Sequence, residues 1–226
     1  MIPWETLATT QAPEGDILRL FRRGTEYSIR LGDGNELMNS RLGGSEIALA
    51  TLSFDRLGAR PAPRILIGGL GMGFTLRAAQ ELAPPDARIV VSEVVPELIG
   101  WAQGEMAEVF GDCLSDPRVE LRAGDVAAEI ASVTGHWDMI LLDVDNGPDG
   151  LTREGNDVLY GEAGLAAAHR ALTVHGVLSV WSAHPSHGFA KRFARANFDV
   201  KEEGVRAGRT KRGSRHTVWT GVRKGR

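Results

Sequence analysis

The stretch Arg64-Ile65-Leu66-Ile67-Gly68-Gly69-Leu70-Gly71-Met72-Gly73-Phe74 constrains this chain more than any other. An apolar run breaks there into four glycines within six residues and resumes as Thr75-Leu76-Arg77-Ala78-Ala79. The spacing predicts strand, tight turn, helix. β-Branched isoleucines in a short apolar run fit a strand buried on both faces, and the residues from Leu76 to Leu82 are good helix formers. Between them, Gly68, Gly69, Gly71 and Gly73 supply a turn without Cβ atoms. It can take φ > 0 and let a ligand lie against the backbone, with the first N–H groups of the helix pointing at it. Such a turn is a seat for a nucleotide or nucleoside, although glycines also serve plain strand-to-helix connections.

One βα unit later, Arg88-Ile89-Val90-Val91-Ser92-Glu93 reads as a second apolar strand, ending on an acid 20 residues beyond Gly73. A carboxylate at that tip is placed to accept hydrogen bonds from both hydroxyls of a ribose. The turn and the acid together point to nucleoside binding.

A chain of 226 residues suits one main domain with a small appendage. At 42% hydrophobic with 28 glycines the composition is globular, and no apolar run approaches the ~18 residues that a membrane helix needs. Met1-Ile2-Pro3-Trp4-Glu5-Thr6 has neither the basic nor the apolar region of a signal peptide. The single cysteine, Cys113, leaves no internal disulfide, so a cytoplasmic enzyme is the expectation. The net charge of −3 is uneven, with nine Lys/Arg against two Glu in residues 201–226. A basic hairpin of that kind can touch nucleic acid, but it is more often a solvated edge, and neither a nucleic-acid nor a membrane partner is expected.

Along the chain, residues 1–15 read as an irregular arm, and Ile17 to Met38 as a small antiparallel β unit of two or three strands. A sheet of that size is marginal alone and should lie on the main domain or on a second subunit. A helix opens at Ser45-Glu46 and ends at Gly58; another begins at Pro96-Glu97 and carries a stripe of Leu98, Trp101, Ala102 and Val109. Strands follow at Val119–Arg122, Trp137–Asp143 and Gly176–Trp181, with helices between them, and a final hairpin of Phe198–Arg206 and Thr217–Arg223. The alternation implies an α/β fold with a doubly wound, mostly parallel seven-stranded sheet and ligands at the carboxyl ends of its strands. Two parts are expected: residues 1–43, the arm and β-hairpin unit, and residues 44–226, the ligand-binding domain.

Each core strand ends in something polar: the glycine turn, Glu93, Asp125, Asp143 with Asp145, and Ser182 with His184. Asp125 suits an exocyclic amine donor, because a carboxylate only accepts; it also suits the N-cap of the next helix. The loop from Asp143 to Asp157 carries Asp143, Asp145, Asp149, Glu154 and Asp157 against Arg153 alone, as a solvated loop or as a cation-selecting lid. Asp143, directly after Leu141-Leu142, is the least solvated of these, and burial among like charges would raise its pKa toward that of a useful general base. No metal is expected, since His184-Pro185-Ser186-His187 lacks a third ligand. His136, His169, His175 and His216 read as structural.

In Leu37-Met38-Asn39-Ser40, Gly44-Ser45-Glu46, the glycine-turn stretch, Glu93, Asp116-Pro117-Arg118-Val119, Gly124-Asp125, Asp138-Met139-Ile140-Leu141-Leu142-Asp143, Gly147-Pro148 and Leu159-Tyr160, the sequence resembles the spermidine synthase family of aminopropyltransferases. That family shares the Rossmann-like class I S-adenosylmethionine methyltransferase fold, and the likeness covers roughly residues 36 to 182. The resemblance implies that Glu93 binds the ribose of an adenosyl sulfonium, that Asp125 binds the adenine amine and that Asp143 takes a proton from an attacking amine. It places Asp145 as the second carboxylate of the active loop, and Glu46, Asp149 and Tyr160 on the acceptor side. The N-terminal strands would be the family's β unit, which often joins subunits, so a homodimer is expected.

The implied reaction is in-line displacement at a carbon beside the sulfonium, moving an aminopropyl or related alkyl group to a small-molecule amine. The donor is S-adenosylmethionine or its decarboxylated form. An acidic wall repels the extra carboxylate, whereas the glycine-turn N–H groups could hold it. A methyltransferase acting on a small molecule is the alternative, followed by an RNA-directed enzyme and by an adenosyl-binding module without activity.

Overall fold

The computed structural model describes residues 2–13, 15–144, 147–148, 158–208 and 213–225. Two sheets carry the architecture. The first is antiparallel, in the order β1 (Glu5–Gln11), β2 (Ile17–Arg23), β3 (Glu26–Leu31) and β4 (Glu36–Asn39). The irregular arm expected at the N-terminus is therefore in part a strand, and the small sheet has four strands rather than two or three. β1 is Thr-rich and largely exposed, so it lacks the apolar alternation that marks a strand in sequence; its pairing with β2 makes it one. Leu18, Leu20, Tyr27 and Ile29 are buried in the same core as Ile65, Ile67, Phe74 and Phe110, so the small sheet lies on the main domain, as its size requires.

The helix α1 (Gly44–Leu57) follows, stopped by Gly58 at φ +67°. Next come β5 (Arg64–Gly68), α2 (Phe74–Leu82), β6 (Arg88–Glu93), α3 (Pro96–Gln103), α4 (Ala107–Phe110), β7 (Val119–Ala123), α5 (Val126–Ala131) and β8 (Trp137–Leu142). The helix expected to run from Pro96 through Val109 is broken: Gly104 closes α3 by donating to the Gly100 and Trp101 carbonyls, and Val109 belongs to α4. After the stretch from 145 to 157, most of it outside the described residues, come α6 (Glu162–Ala171), β9 (Leu172–Ser182), α7 (His187–Arg195), β10 (Phe198–Arg206) and β11 (Arg215–Arg223).

The second sheet has seven strands in the order β10-β11-β9-β8-β5-β6-β7. β5, β6, β7, β8 and β9 pair in parallel, while β11 is antiparallel to both β9 and β10. This is the doubly wound, mostly parallel sheet expected from the alternation. β8 is buried along its whole length and β5 along all but its first residue, which is why both read as continuous apolar runs. The chain leaves β5 toward β6 and β7 on one side and returns to β8 on the other. That reversal between β5 and β8 is a topological switch point, the place where sheets of this kind hold a ligand crevice beyond the strand tips.

Candidate active site

The crevice is assembled by hydrogen bonds between neighbouring strand tips. Gly68 pairs with Ser92 on one side and Leu142 on the other, so the glycine turn lies between Glu93 and Asp143. Asp143 N donates to the Gly68 carbonyl at 3.0 Å, Gly69 N to the Ser92 carbonyl at 2.8 Å, and Gly124 N to the Glu93 carbonyl at 2.9 Å. The three acids expected to surround a nucleoside thus stand along one edge together with the glycine turn, in the order Asp143 after β8, the turn after β5, Glu93 on β6 and Asp125 after β7.

Two of the glycines are required by geometry. Gly69 has φ +88°, and a Cβ there would lie 2.3 Å from the Asp143 carbonyl oxygen. Gly73 has φ +71°, and its Cβ would meet the Phe110 ring at 2.6 Å. The turn is therefore pressed against Asp143 on one flank and against α4 on the other. At Gly71, by contrast, an added Cβ would find only the Met38 sulfur, at 3.8 Å, which suits the part of the turn a ligand would approach.

Glu93 is 6% exposed, and its carboxylate is oriented by the backbone: Oε2 accepts from Leu70 N and Oε1 from Val95 N, each at 2.9 Å. The acid therefore fixes the glycine turn itself. Asp125 is exposed and caps α5, with Oδ1 accepting from Ala127 N at 2.8 Å. The capping role read from sequence is present, at a position beside the Glu93 strand.

Asp143 is enclosed by protein while keeping part of its surface open. Burial pushes its pKa up to about 7, the nearby Glu46 carboxylate adds to the rise, and the Thr75 hydroxyl opposes it. Thr75 Oγ1 lies 2.6 Å from Asp143 Oδ2 and 3.3 Å from the Glu46 carbonyl oxygen. Glu46 is raised too, by burial, against the pull of the Ser45 hydroxyl and of its own backbone N–H. An acid held near neutrality beside a second acid can take up a proton at physiological pH.

Of the remaining candidates, Glu46 lies within electrostatic reach of Asp143. Tyr160 is 1% exposed, with its hydroxyl 3.4 Å from the Val144 carbonyl, so it supports the residue after Asp143 from within the core. Asp145 and Asp149 lie outside the described residues. Ser182 Oγ donates to the His184 carbonyl at 2.8 Å and closes a local turn. Among the described residues no three His, Cys, Asp or Glu side chains converge as a metal-holding group, and no helix is long and apolar enough to cross a membrane.

Three residues near the acids were not singled out from sequence. Thr75 carried a signal, as a hydroxyl in the first turn of the helix after the glycines. Ser45 contacts Glu46 Oε2 at 2.6 Å and was visible only as its chain neighbour. His216, read as structural, belongs to β11 and reaches Ser45 Oγ at 2.9 Å; nothing in the local sequence marks that contact.

No protein-family model matches the chain, and no curated protein matches it in sequence. Solved structures do. The spermidine synthase of Thermotoga maritima is similar with a TM-score of 0.73 at 18% identity, over 97% of this chain and 72% of that one. A spermidine synthase in complex with the transition state analogue AdoDATO gives a TM-score of 0.72 at 18% identity over the same shares. A probable spermidine synthase from Corynebacterium glutamicum ATCC 13032 gives 0.64 at 18% identity, over 95% of this chain and 79% of that one. The chain has the fold of these spermidine synthases across nearly its whole length.

Proposed function

We propose that the protein is a spermidine synthase-like transferase that moves an aminopropyl or related alkyl group from a decarboxylated S-adenosylmethionine donor to a small-molecule amine. The observation that carries this reading is Asp143, an acid raised to about 7 on the strand tip beside the glycine turn. The likeness to a fold crystallised with AdoDATO supports it.

In this reading the glycine turn, Glu93 and Asp125 hold the nucleoside of the donor. Glu93 orients the turn and Asp125 accepts from the adenine amine. The acceptor nitrogen attacks the carbon beside sulfur, the C–S electron pair leaves with the thioether, and the N–H proton passes to Asp143. Thr75 holds the Asp143 carboxylate in place, and the acidic surroundings raise the local concentration of a cationic amine.

Methylation of a small molecule is the second reading, favoured by the fact that the same turn and acids would hold the nucleoside half of ordinary S-adenosylmethionine. Titration calorimetry with methylthioadenosine, S-adenosylhomocysteine and the two donors tests both. Tighter binding of methylthioadenosine and of the decarboxylated donor is the expected result. Preference for S-adenosylhomocysteine would favour methylation, and no binding of any of the four would end both readings.

A further inference from the structure

Three groups meet at the Ser45 hydroxyl, which is fully buried. Its oxygen lies 2.6 Å from Glu46 Oε2 and 2.9 Å from His216 Nδ1. A serine hydroxyl has one proton to donate, and an ionised carboxylate can only accept. While Glu46 is ionised, the Ser45 proton must therefore point at Glu46, and His216 Nδ1 must carry a hydrogen that points at Ser45. With Glu46 protonated both bonds can run the other way, from carboxyl to Ser45 and from Ser45 to a bare Nδ1. An ionised Glu46 thus locks the tautomer of His216, and only a protonated Glu46 releases it.

The His216 ring stands edge-on to Trp181 on β9 at 4.9 Å, and burial followed by the proximity of His184 lowers its proton affinity, which favours a neutral ring whose tautomer matters. Glu46, on α1, lies within electrostatic reach of Asp143 at the tip of β8, and Asp143 is in turn held by Thr75 on α2.

We infer that Ser45 and His216 are positioning residues that decide which of two acids within electrostatic reach of each other, Glu46 or Asp143, takes up a proton first. By directing the Ser45 hydroxyl hydrogen at Glu46, the pair favours the ionised form of Glu46 and so favours proton uptake at Asp143, the acid that abuts the glycine turn. The consequence for catalysis rests on the transferase reading; the lock itself does not.

Nuclear magnetic resonance of the intact protein tests the lock without substrate, through the ring nitrogens of His216 and the carboxyl carbons of Glu46 and Asp143. Between the two carboxyl midpoints the wild type is expected to show His216 as the Nδ1–H tautomer, Glu46 ionised and Asp143 protonated. Ser45→Ala removes the relay without adding bulk. His216 should then go over to Nε2–H, and the ratio of proton on Asp143 to proton on Glu46 should fall about tenfold, the effect of losing a hydrogen bond to a charged group. His216→Asn, which can still donate to Ser45, should keep the wild-type distribution, whereas His216→Phe should move it toward that of Ser45→Ala. A wild-type Nε2–H tautomer, which needs no variant to observe, overturns the proposal, as does an unchanged carboxyl distribution in Ser45→Ala. A merely structural Ser45 would change the melting temperature and move neither reading. If the protein transfers no alkyl group while the tautomer and distribution are as described, the transferase reading fails and the lock stands.

Discussion

The Thr75 hydroxyl donates a 2.6 Å hydrogen bond to Asp143 Oδ2, tying the first turn of the helix after the glycine bend to the tip of the neighbouring strand. The two parts to which the transferase proposal gives different tasks, seating the donor and removing a proton, are thereby one mechanical unit. The bond favours the ionised carboxylate against the burial and the Glu46 charge that oppose it. Thr75→Val keeps the side-chain shape and removes the donor. The Asp143 titration should then move upward by about one pH unit, and any pH–rate profile of the transfer should shift its acidic limb the same way. Carboxyl carbon shifts measured across pH 5 to 9 would check this, and a downward or absent shift would show that the bond does not act on the charge.

Asp143→Asn separates chemistry from stability. Turnover should fall by about 10² or more with donor affinity nearly unchanged, the loss expected when a general base is removed. Stability should change in the opposite sense. The folded-state value near 7 lies above the ordinary 3.8, so the folded protein holds this proton more tightly than the unfolded chain. The stabilisation is complete below about pH 4 and disappears as pH rises through 7, because ionised Asp143 is poorly accommodated. Asparagine has no such charge to bury. The variant should therefore melt above the wild type at pH 8, with the gap closing toward pH 4, as followed by thermal denaturation at several pH values.

The parts of this site that the sequence announces are those made by one contiguous segment. β5, the glycine turn and β6 ending at Glu93 were legible because a strand buried on both faces must be apolar throughout and because a turn at φ +88° excludes side chains. β1 was not, since an exposed edge strand needs no alternation and is fixed by its partner. The acid pair was half legible. Asp143 follows from its apolar strand, but its partner groups depend on which strands become neighbours. Thr75 is 68 residues from Asp143 in sequence, and His216 is 171 from Ser45. No local pattern encodes such a meeting; only the sheet order does, with β8 beside β5 and β11 beside β9.

Asp125 has a capping role that can be separated from a ligand role by choice of substituent. Its Oδ1 accepts from Ala127 N at the start of α5. Asp125→Ala should cost about 0.5–2 kcal/mol through the lost cap, together with any affinity that the carboxylate gives for an adenine amine. Asp125→Ser restores a capping oxygen on a shorter arm, so stability should return while adenine recognition does not. Chemical denaturation and calorimetry with methylthioadenosine on the two variants decide the matter. Equal affinity of wild type and Asp125→Ser would remove Asp125 from the donor site and leave it a cap alone.

Arg118 and Asp116, which belong to the stretch carrying the family likeness, do structural work at a distance from the crevice. The Arg118 guanidinium holds both Asp116 oxygens and also donates to the carbonyls of Gln80, Ala83 and Pro84, closing the C-terminal end of α2 onto the segment before β7. Its hydrogen bonds draw the Asp116 pKa down to about 2. A depressed carboxylate contributes stability that is present above its ordinary value of 3.8 and lost as pH falls toward 2. Arg118→Ala should therefore lower stability at neutral pH by about 1–3 kcal/mol and flatten the decline of stability between pH 4 and 2. The affinity for methylthioadenosine should stay that of the wild type, because none of these partners lies on the strand tips. Denaturation at pH 7, 4 and 3, paired with calorimetry, would check both halves. A variant that binds weakly while remaining fully stable would mean that α2 transmits the state of this clamp to the glycine turn at its other end.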